Sequence, residues 1–207
     1  MSLGGRANPV GHPVCAGISA YSDAGGIVVA AAGNSNVDTS TFVPGGCSDA
    51  ISVAAVDSTG KRAVCSNYGS KVDVSAPGVD IYSTYPQNKG SYKKLSGTSM
   101  AAPHIVGLVS LLRAQNPNMT ASQAKALLKK HPQSVQSDAG KDIAQAVLVP
   151  ALLQEIYTPM VSVAEDNLPK PETLPPPPPP EEKRETPLSS LSGSQVEKPD
   201  EAILDTS

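Results

Sequence analysis

Tryptophan is absent from this chain of 207 residues and phenylalanine occurs once, so that with six tyrosines the aromatic share is only 3%. A core without large rings has to interlock Ala, Val, Leu and Ile side chains. Charge is sparse too: charged residues make up 17%, and sixteen basic against nineteen acidic side chains leave a net charge of −3. No basic footprint for nucleic acid is visible in that balance, and no nucleic-acid partner is expected. The longest apolar run, residues 27–32, falls far short of the roughly 18 residues that a membrane-crossing helix needs. Met1-Ser2-Leu3-Gly4-Gly5-Arg6 has neither the basic start nor the apolar middle of a secretory signal. The chain is therefore expected to be soluble, with no membrane partner. Its three cysteines, Cys15, Cys47 and Cys65, are too widely spaced for a zinc site and lack the accompanying histidine pattern.

Composition divides the chain near Tyr157. Residues 159–207 hold 11 of the 20 prolines, six of them consecutive at 175–180, with ten acidic and four basic side chains and no aromatic. Such a segment buries too little apolar surface to offset the entropy of ordering it, and a disordered, proline-rich acidic tail is expected there. Its hexaproline is a stiff polyproline II rod, a solvated spacer by composition or a docking ligand for a partner that reads proline-rich motifs. Residues 1–158 carry the globular part, with a net charge of +3.

That part reads as α/β. Residues 26–32 and 50–56 are continuous apolar runs, the pattern of strands buried on both faces. Shorter strand-like pieces follow at 72–74 and 79–84. Helical spacing covers residues 13–24, ending before Gly25-Gly26, and residues 99–115, ending before Asn116-Pro117. Thr120-Ala121-Ser122-Gln123 is a capping box that opens a further helix. That helix closes on Lys129, Lys130 and His131, charges suited to its end of the dipole. Strands alternating with helices imply a parallel sheet covered on both faces.

Chemistry concentrates in Ser96-Gly97-Thr98-Ser99-Met100-Ala101-Ala102-Pro103-His104. Thr98 is expected to cap a helix whose first turn contains Ser99, placing the Ser99 hydroxyl and backbone N–H at the positive end of the helix dipole. That position suits the stabilisation of an oxyanion. Gly97 permits close backbone approach, and Pro103, lacking an N–H, leaves the Ser99 carbonyl free. An α/β-hydrolase elbow requires Gly-x-Ser-x-Gly, and Ala101 stands where its second glycine belongs. Beyond His104 the only histidine after the serine is His131, with no companion motif.

This string closely resembles the nucleophile signature of the subtilisin-like serine proteases, the subtilases. Ala30-Ala31-Ala32-Gly33-Asn34 is similar to the family strand that ends in an oxyanion-hole asparagine, and Met1-Ser2-Leu3-Gly4-Gly5 to its substrate-binding edge. Ser66-Asn67-Tyr68-Gly69 and Ala76-Pro77-Gly78 match further landmarks. The resemblance, from Met1 to about Ala146, implies the three-layer subtilisin-like fold and a serine endopeptidase acting on extended peptide or protein chains. It implies Ser99 as nucleophile and Asn34 as oxyanion donor, with Ser2, Leu3, Gly4, Ala31 and Gly33 lining the substrate cleft. His104 corresponds to a structural residue in the family. Two cysteines at places comparable to Cys15 and Cys47 are bridged in some members, whereas Cys65 is expected to be a buried small apolar residue. No cofactor is expected. Pro44 falls where the family often has a cis proline beside a weak calcium site, and no carboxylate cluster supports such a site independently.

A subtilase uses Asp, His and Ser in that chain order, with the first two in Asp-x-Gly and His-Gly-Thr motifs well ahead of the oxyanion asparagine. Here only Asp23 and His12 precede Asn34, in reversed order and outside those motifs. His12 reads as a surface or helix-start residue. The chain is expected to be the C-terminal part of a subtilase catalytic domain, inactive by itself. The alternative is a non-catalytic relative that keeps the cleft as a peptide-binding surface.

Overall fold

The computed structural model describes residues 1–130 and 132–147. The tail expected at 159–207 and His131 lie outside the described residues. In chain order the elements are β1 (Gly5–Arg6), α1 (Pro13–Asp23), β2 (Val28–Ala31), β3 (Phe42–Val43), β4 (Ala50–Val56), β5 (Val74–Pro77), β6 (Ile81–Thr84), β7 (Tyr92–Leu95), α2 (Thr98–Gln115), α3 (Ala121–Lys130), β8 (Pro132–Gln133) and β9 (Ala146–Val147). The central sheet runs β2-β4-β5-β9-β8, while β1 with β3 and β6 with β7 form separate two-stranded ribbons. β2, β4, β5 and β9 are parallel neighbours, with Val28 opposite Ala50 and Val53 opposite Val74. Only β8 runs antiparallel.

Alternation along these strands separates two cores. Val29, Ala31, Ile51, Val53, Ala55, Val74 and Ala76 point to one face and meet Ala101, Ala102, Ile105, Val109 and Leu112 of α2 and Ala124 and Leu128 of α3. Ala30 and Ala50 point to the other face and meet Ile18 of α1, while Ala32, Ala54 and Val56 pack with Val72 and Ile143. The sheet therefore lies between helices, in three layers. Alanine at so many contact positions lets α2 approach the sheet closely, and this replaces the bulk that aromatic rings would supply.

Local chemistry sets the boundaries. His12 caps α1, its ring Nδ1 accepting the Val14 N–H, and Pro13 occupies the first helical position, where a missing N–H costs nothing. At the other end the Gly26 N–H reaches the Tyr21 carbonyl and the Gly25 N–H the Ser22 carbonyl, with Gly25 at φ 86°. This is a Schellman closure. It consumes both glycines, so β2 starts at Val28 and not at residue 26. The strand expected at 72–74 is displaced to 74–77 because Val72 donates to Gly69 in a turn. That expected at 79–84 begins only at Ile81, since Asp80 has φ 53° and gives its N–H to Ser96 Oγ. The capping box forms as expected: the Gln123 N–H donates to Thr120 Oγ1 and the Thr120 N–H to Gln123 Oε1.

Two covalent features frame the site. Cys15 and Cys47 form a disulfide that ties α1 to the segment after β3, and the Val43–Pro44 peptide is cis. The outer edge of β2 is bonded by a single residue: Met1 accepts from the Ala31 N–H and its amino group donates to the Val29 carbonyl. Beside this edge lies an open hollow of about 320 Å³ whose walls include Ile27, Val28, Val106 and Val109. Among the described residues no helix is long and apolar enough to cross a membrane.

Candidate active site

α2 opens at Gly97, whose φ of 151° is accessible mainly to glycine. A side chain there would also meet the Asn34 amide, at 3.1 Å from Nδ2 to an added Cβ. Thr98 and Ser99 follow as the first two helical residues. Thr98 was expected to cap the helix, but the structure gives it another task. Its hydroxyl donates to Asn34 Oδ1 at 2.9 Å and accepts the Gly33 N–H at 3.2 Å, and its backbone N–H donates to the same Asn34 oxygen at 2.8 Å. A partner brought from the turn after β2 outcompetes the local cap. Both contacts engage the oxygen of the Asn34 side chain and leave its NH₂ group unused by Thr98.

The turn that carries Asn34 is itself held by Asn67, a buried amide with three partners. Asn67 Nδ2 donates to the Ala32 carbonyl at 2.8 Å, while its Oδ1 accepts the Ser35 and Val37 N–H groups at 3.0 and 3.2 Å. Gly33 has φ 110°, and a Cβ there would lie 2.3 Å from Asn67 Nδ2, so only glycine fits between strand and amide. Asn67 is in turn fixed by the buried Arg62, which donates to the Ser66 carbonyl at 2.6 Å and pairs with Asp138 at 2.7 Å. Its guanidinium holds the Asp138 carboxyl below the usual carboxylate range. Sequence reading treated Asn67 only as a landmark and missed its positioning role. Its neighbours supply no such signal, because all three partners lie about thirty residues upstream.

Six of the seven expected site residues line one cleft of about 270 Å³: Leu3, Gly4, Ala31, Gly33, Asn34 and Ser99, joined by Ser35, Phe42 and Thr98. Phe42 fills the space that side chains at Gly4 and Gly33 would need, at 2.7 and 2.6 Å from the added Cβ atoms. Ser2 is not part of that wall. It stands over the serine instead: Ser99 Oγ donates to the Ser2 carbonyl at 3.1 Å, and Ser2 Oγ donates to the Ser99 carbonyl at 3.0 Å. The latter acceptor is the one that Pro103, without an N–H, leaves unused in the helix. Cys65, expected to be buried, is half-buried with its sulfur 4.0 Å from Asn34 Oδ1. On the other side of Ser99 a second depression of about 370 Å³ is bounded by Ile81, Tyr82, Ser83, Met100, Pro103 and His104. His104 Nδ1 lies 3.0 Å from the Met100 carbonyl, within its own helix. His12, at its cap, borders neither depression. No group of three or more potential metal-ligating side chains occurs among the described residues.

At the start of an 18-residue helix Ser99 presents a hydroxyl able to attack a carbonyl, and its backbone N–H together with the Asn34 amide in the same cleft can receive a developing oxyanion. The model of the Subtilase family matches residues 1–145, and the chain belongs to that family. It is 42% identical over 128 residues to subtilisin DY of Bacillus licheniformis, covering 60% of this chain and 45% of that protein. To thermitase of Thermoactinomyces vulgaris it is 47% identical over 105 residues, covering 51% and 36%. Among solved structures, a cold-adapted subtilisin-like serine proteinase matches with a TM-score of 0.62 at 32% identity, covering 70% of this chain and 51% of its own. Proteases from Pseudoalteromonas arctica match with a TM-score of 0.64 at 33% identity, covering 73% and 50%. The chain spans 23 to 45% of the length of the first curated relatives it matches.

If Asn34 supplies an oxyanion donor, Asn34→Ala in a chain completed with a catalytic acid and base should lower kcat by about 10² to 10³-fold, the range known for the equivalent donor of subtilisin. KM should change little, and steady-state kinetics on a peptide substrate checks this split.

Proposed function

We propose that this chain carries the nucleophile and the oxyanion-binding groups of a subtilisin-like serine endopeptidase. The observation that supports this best is the shared cleft: Asn34 is pinned through its oxygen by Thr98, which leaves its NH₂ available to donate, and Asn34 and Ser99 line the same cavity. An extended peptide would lie along residues 2–4 by strand addition, its side chain entering between Gly4, Gly33 and Phe42. An imidazole would take the Ser99 proton as Oγ attacks the scissile carbonyl. The Ser99 N–H and the Asn34 amide would hold the oxygen as it gains charge. Collapse of this intermediate expels the amine, which receives the proton from the imidazolium, and water then hydrolyses the acyl ester.

Among the described residues neither His12 nor His104 is placed to be that base, and we assign the acid and base to an additional segment. The apolar edge of β2 with the hollow beside it offers a surface for further parallel strands, since parallel sheets are normally covered and continued. The chain as it stands should therefore hydrolyse no peptide and should not be labelled stoichiometrically by an active-site-directed fluorophosphonate. Intact-mass spectrometry after incubation reads this directly. Rapid one-to-one modification of Ser99 in this chain would contradict the assignment of the base to another segment.

A further inference from the structure

The resemblance set a weak calcium site beside the cis proline, and the residues actually present there do not fit one. Lys125 of α3 places its ammonium 2.8 Å from the Ser48 carbonyl and 3.1 Å from Asp73 Oδ2. Asp73 also accepts the Ser52 N–H on Oδ2, at 2.9 Å, and Lys129 on Oδ1, at 3.0 Å. The carboxylate is mostly buried, with its side chain 14% exposed. A carboxylate and a main-chain carbonyl converging on one point are oxygen ligands of the kind a hard divalent cation takes. Calcium, however, wants about six to eight such oxygens at roughly 2.4 Å. Here the convergence point is filled by nitrogen, and a second lysine one helical turn on cancels more of the negative charge that would attract a metal. A calcium ion within bonding distance of both oxygens would overlap the Lys125 ammonium. The only other acid in the adjoining segment, Asp49, is exposed and takes part in no ion pair among the described residues.

We propose that the ammonium of Lys125 is the resident cation of this position, and that this chain binds no calcium there. Lys125 does by itself what a bridging metal would do. It ties α3 to the segment that follows cis-Pro44, through Ser48, and to the β4–β5 pair, through Asp73 and its bond to Ser52. Lys129, at i+4 on α3, lies on the same face and completes the grip on the carboxylate. The clamp needs no external ligand, so it is indifferent to chelators.

The test is thermal unfolding of the full chain in EDTA and in about 1 mM calcium, the range in which weak extracellular sites fill. The parent chain should unfold at the same midpoint in both. A calcium-dependent rise that Asp73→Asn abolishes would overturn the proposal. Lys125→Met keeps the apolar stem and removes the charge. It should lower the midpoint equally in EDTA and in calcium, because the Ser48 carbonyl and the Asp73 carboxylate, with Lys129 still paired to the latter, are too few oxygens for the ion. A Lys125→Met midpoint equal to that of the parent would also overturn the proposal, because the ammonium would then hold nothing together. Should Lys125→Met not fold, Lys125→Arg decides: a retained positive charge predicts a midpoint still insensitive to calcium, and sensitivity contradicts the proposal. None of these readouts requires peptidase activity, so the result stands apart from the functional assignment above.

Discussion

Ser99→Ala, made in a chain joined to a subtilase segment that carries Asp-x-Gly and His-Gly-Thr, is expected to reduce kcat by about 10⁶-fold, a magnitude carried over from the serine of subtilisin itself. The reason for so large an effect is that nucleophile and base act as one unit: without Oγ no acyl-enzyme forms, and a perfectly placed imidazole has no proton to take. Substrate binding should survive, because the cleft walls at residues 3–4, Gly33 and Phe42 do not involve the hydroxyl. Residual turnover should reflect binding and the oxyanion donors alone, about 10³ above water. The comparison of kcat and KM for the two completed chains is the check. A variant that kept a tenth of the parent kcat would show that Ser99 is not the attacking group.

Asn67→Ala should produce the largest loss of stability of any single change outside the central sheet. Three hydrogen bonds end on this one buried side chain. Truncation strands the Ser35 and Val37 N–H groups and the Ala32 carbonyl. The buried Ala32 carbonyl left unsatisfied costs about 1 to 3 kcal/mol, and loss of the part-buried Ser35 and Val37 bonds adds about 0.5 to 1.5 kcal/mol each, so a total of about 3 kcal/mol is expected. In a folded unit of this size that corresponds to a midpoint lower by about 6 to 12 °C. Thermal unfolding followed by circular dichroism measures it. Because Asn67 shapes the turn on which Asn34 rides, the completed enzyme should lose turnover as well, even at temperatures where the variant is fully folded. A shift of less than about 2 °C, the size of an ordinary surface substitution, would contradict the positioning role.

How much of this could be read in the sequence follows from the range of each interaction. The strand at 50–56 and the capping box at Thr120 and Gln123 are local patterns, and both appear where expected. The three layers follow from two apolar runs that tolerate no polar face. Thr98 shows the limit. A hydroxyl at a helix start has the local signature of a cap, and nothing nearby reveals that Asn34, 64 residues away, supplies a better partner. Asn67, Cys65 and the pairing of Lys125 and Lys129 with Asp73 share this character, since their partners meet only once the sheet has formed. The displaced strand starts have a different cause: Gly25, Asp80 and the turn at Gly69 take up backbone groups that the apolar pattern alone would assign to strands. Ser99 and Asn34 were legible because each sits in a dense motif, although their convergence on one cleft is a property of the fold.

The most direct test of that convergence is the structure of the completed enzyme after reaction with a fluorophosphonate. The phosphonyl group is expected on Ser99 Oγ, with its outward oxygen within hydrogen-bonding distance of both the Ser99 backbone N–H and Asn34 Nδ2. An adduct on Ser99 whose oxygen pointed away from Asn34, or an adduct on any other residue, would contradict the account.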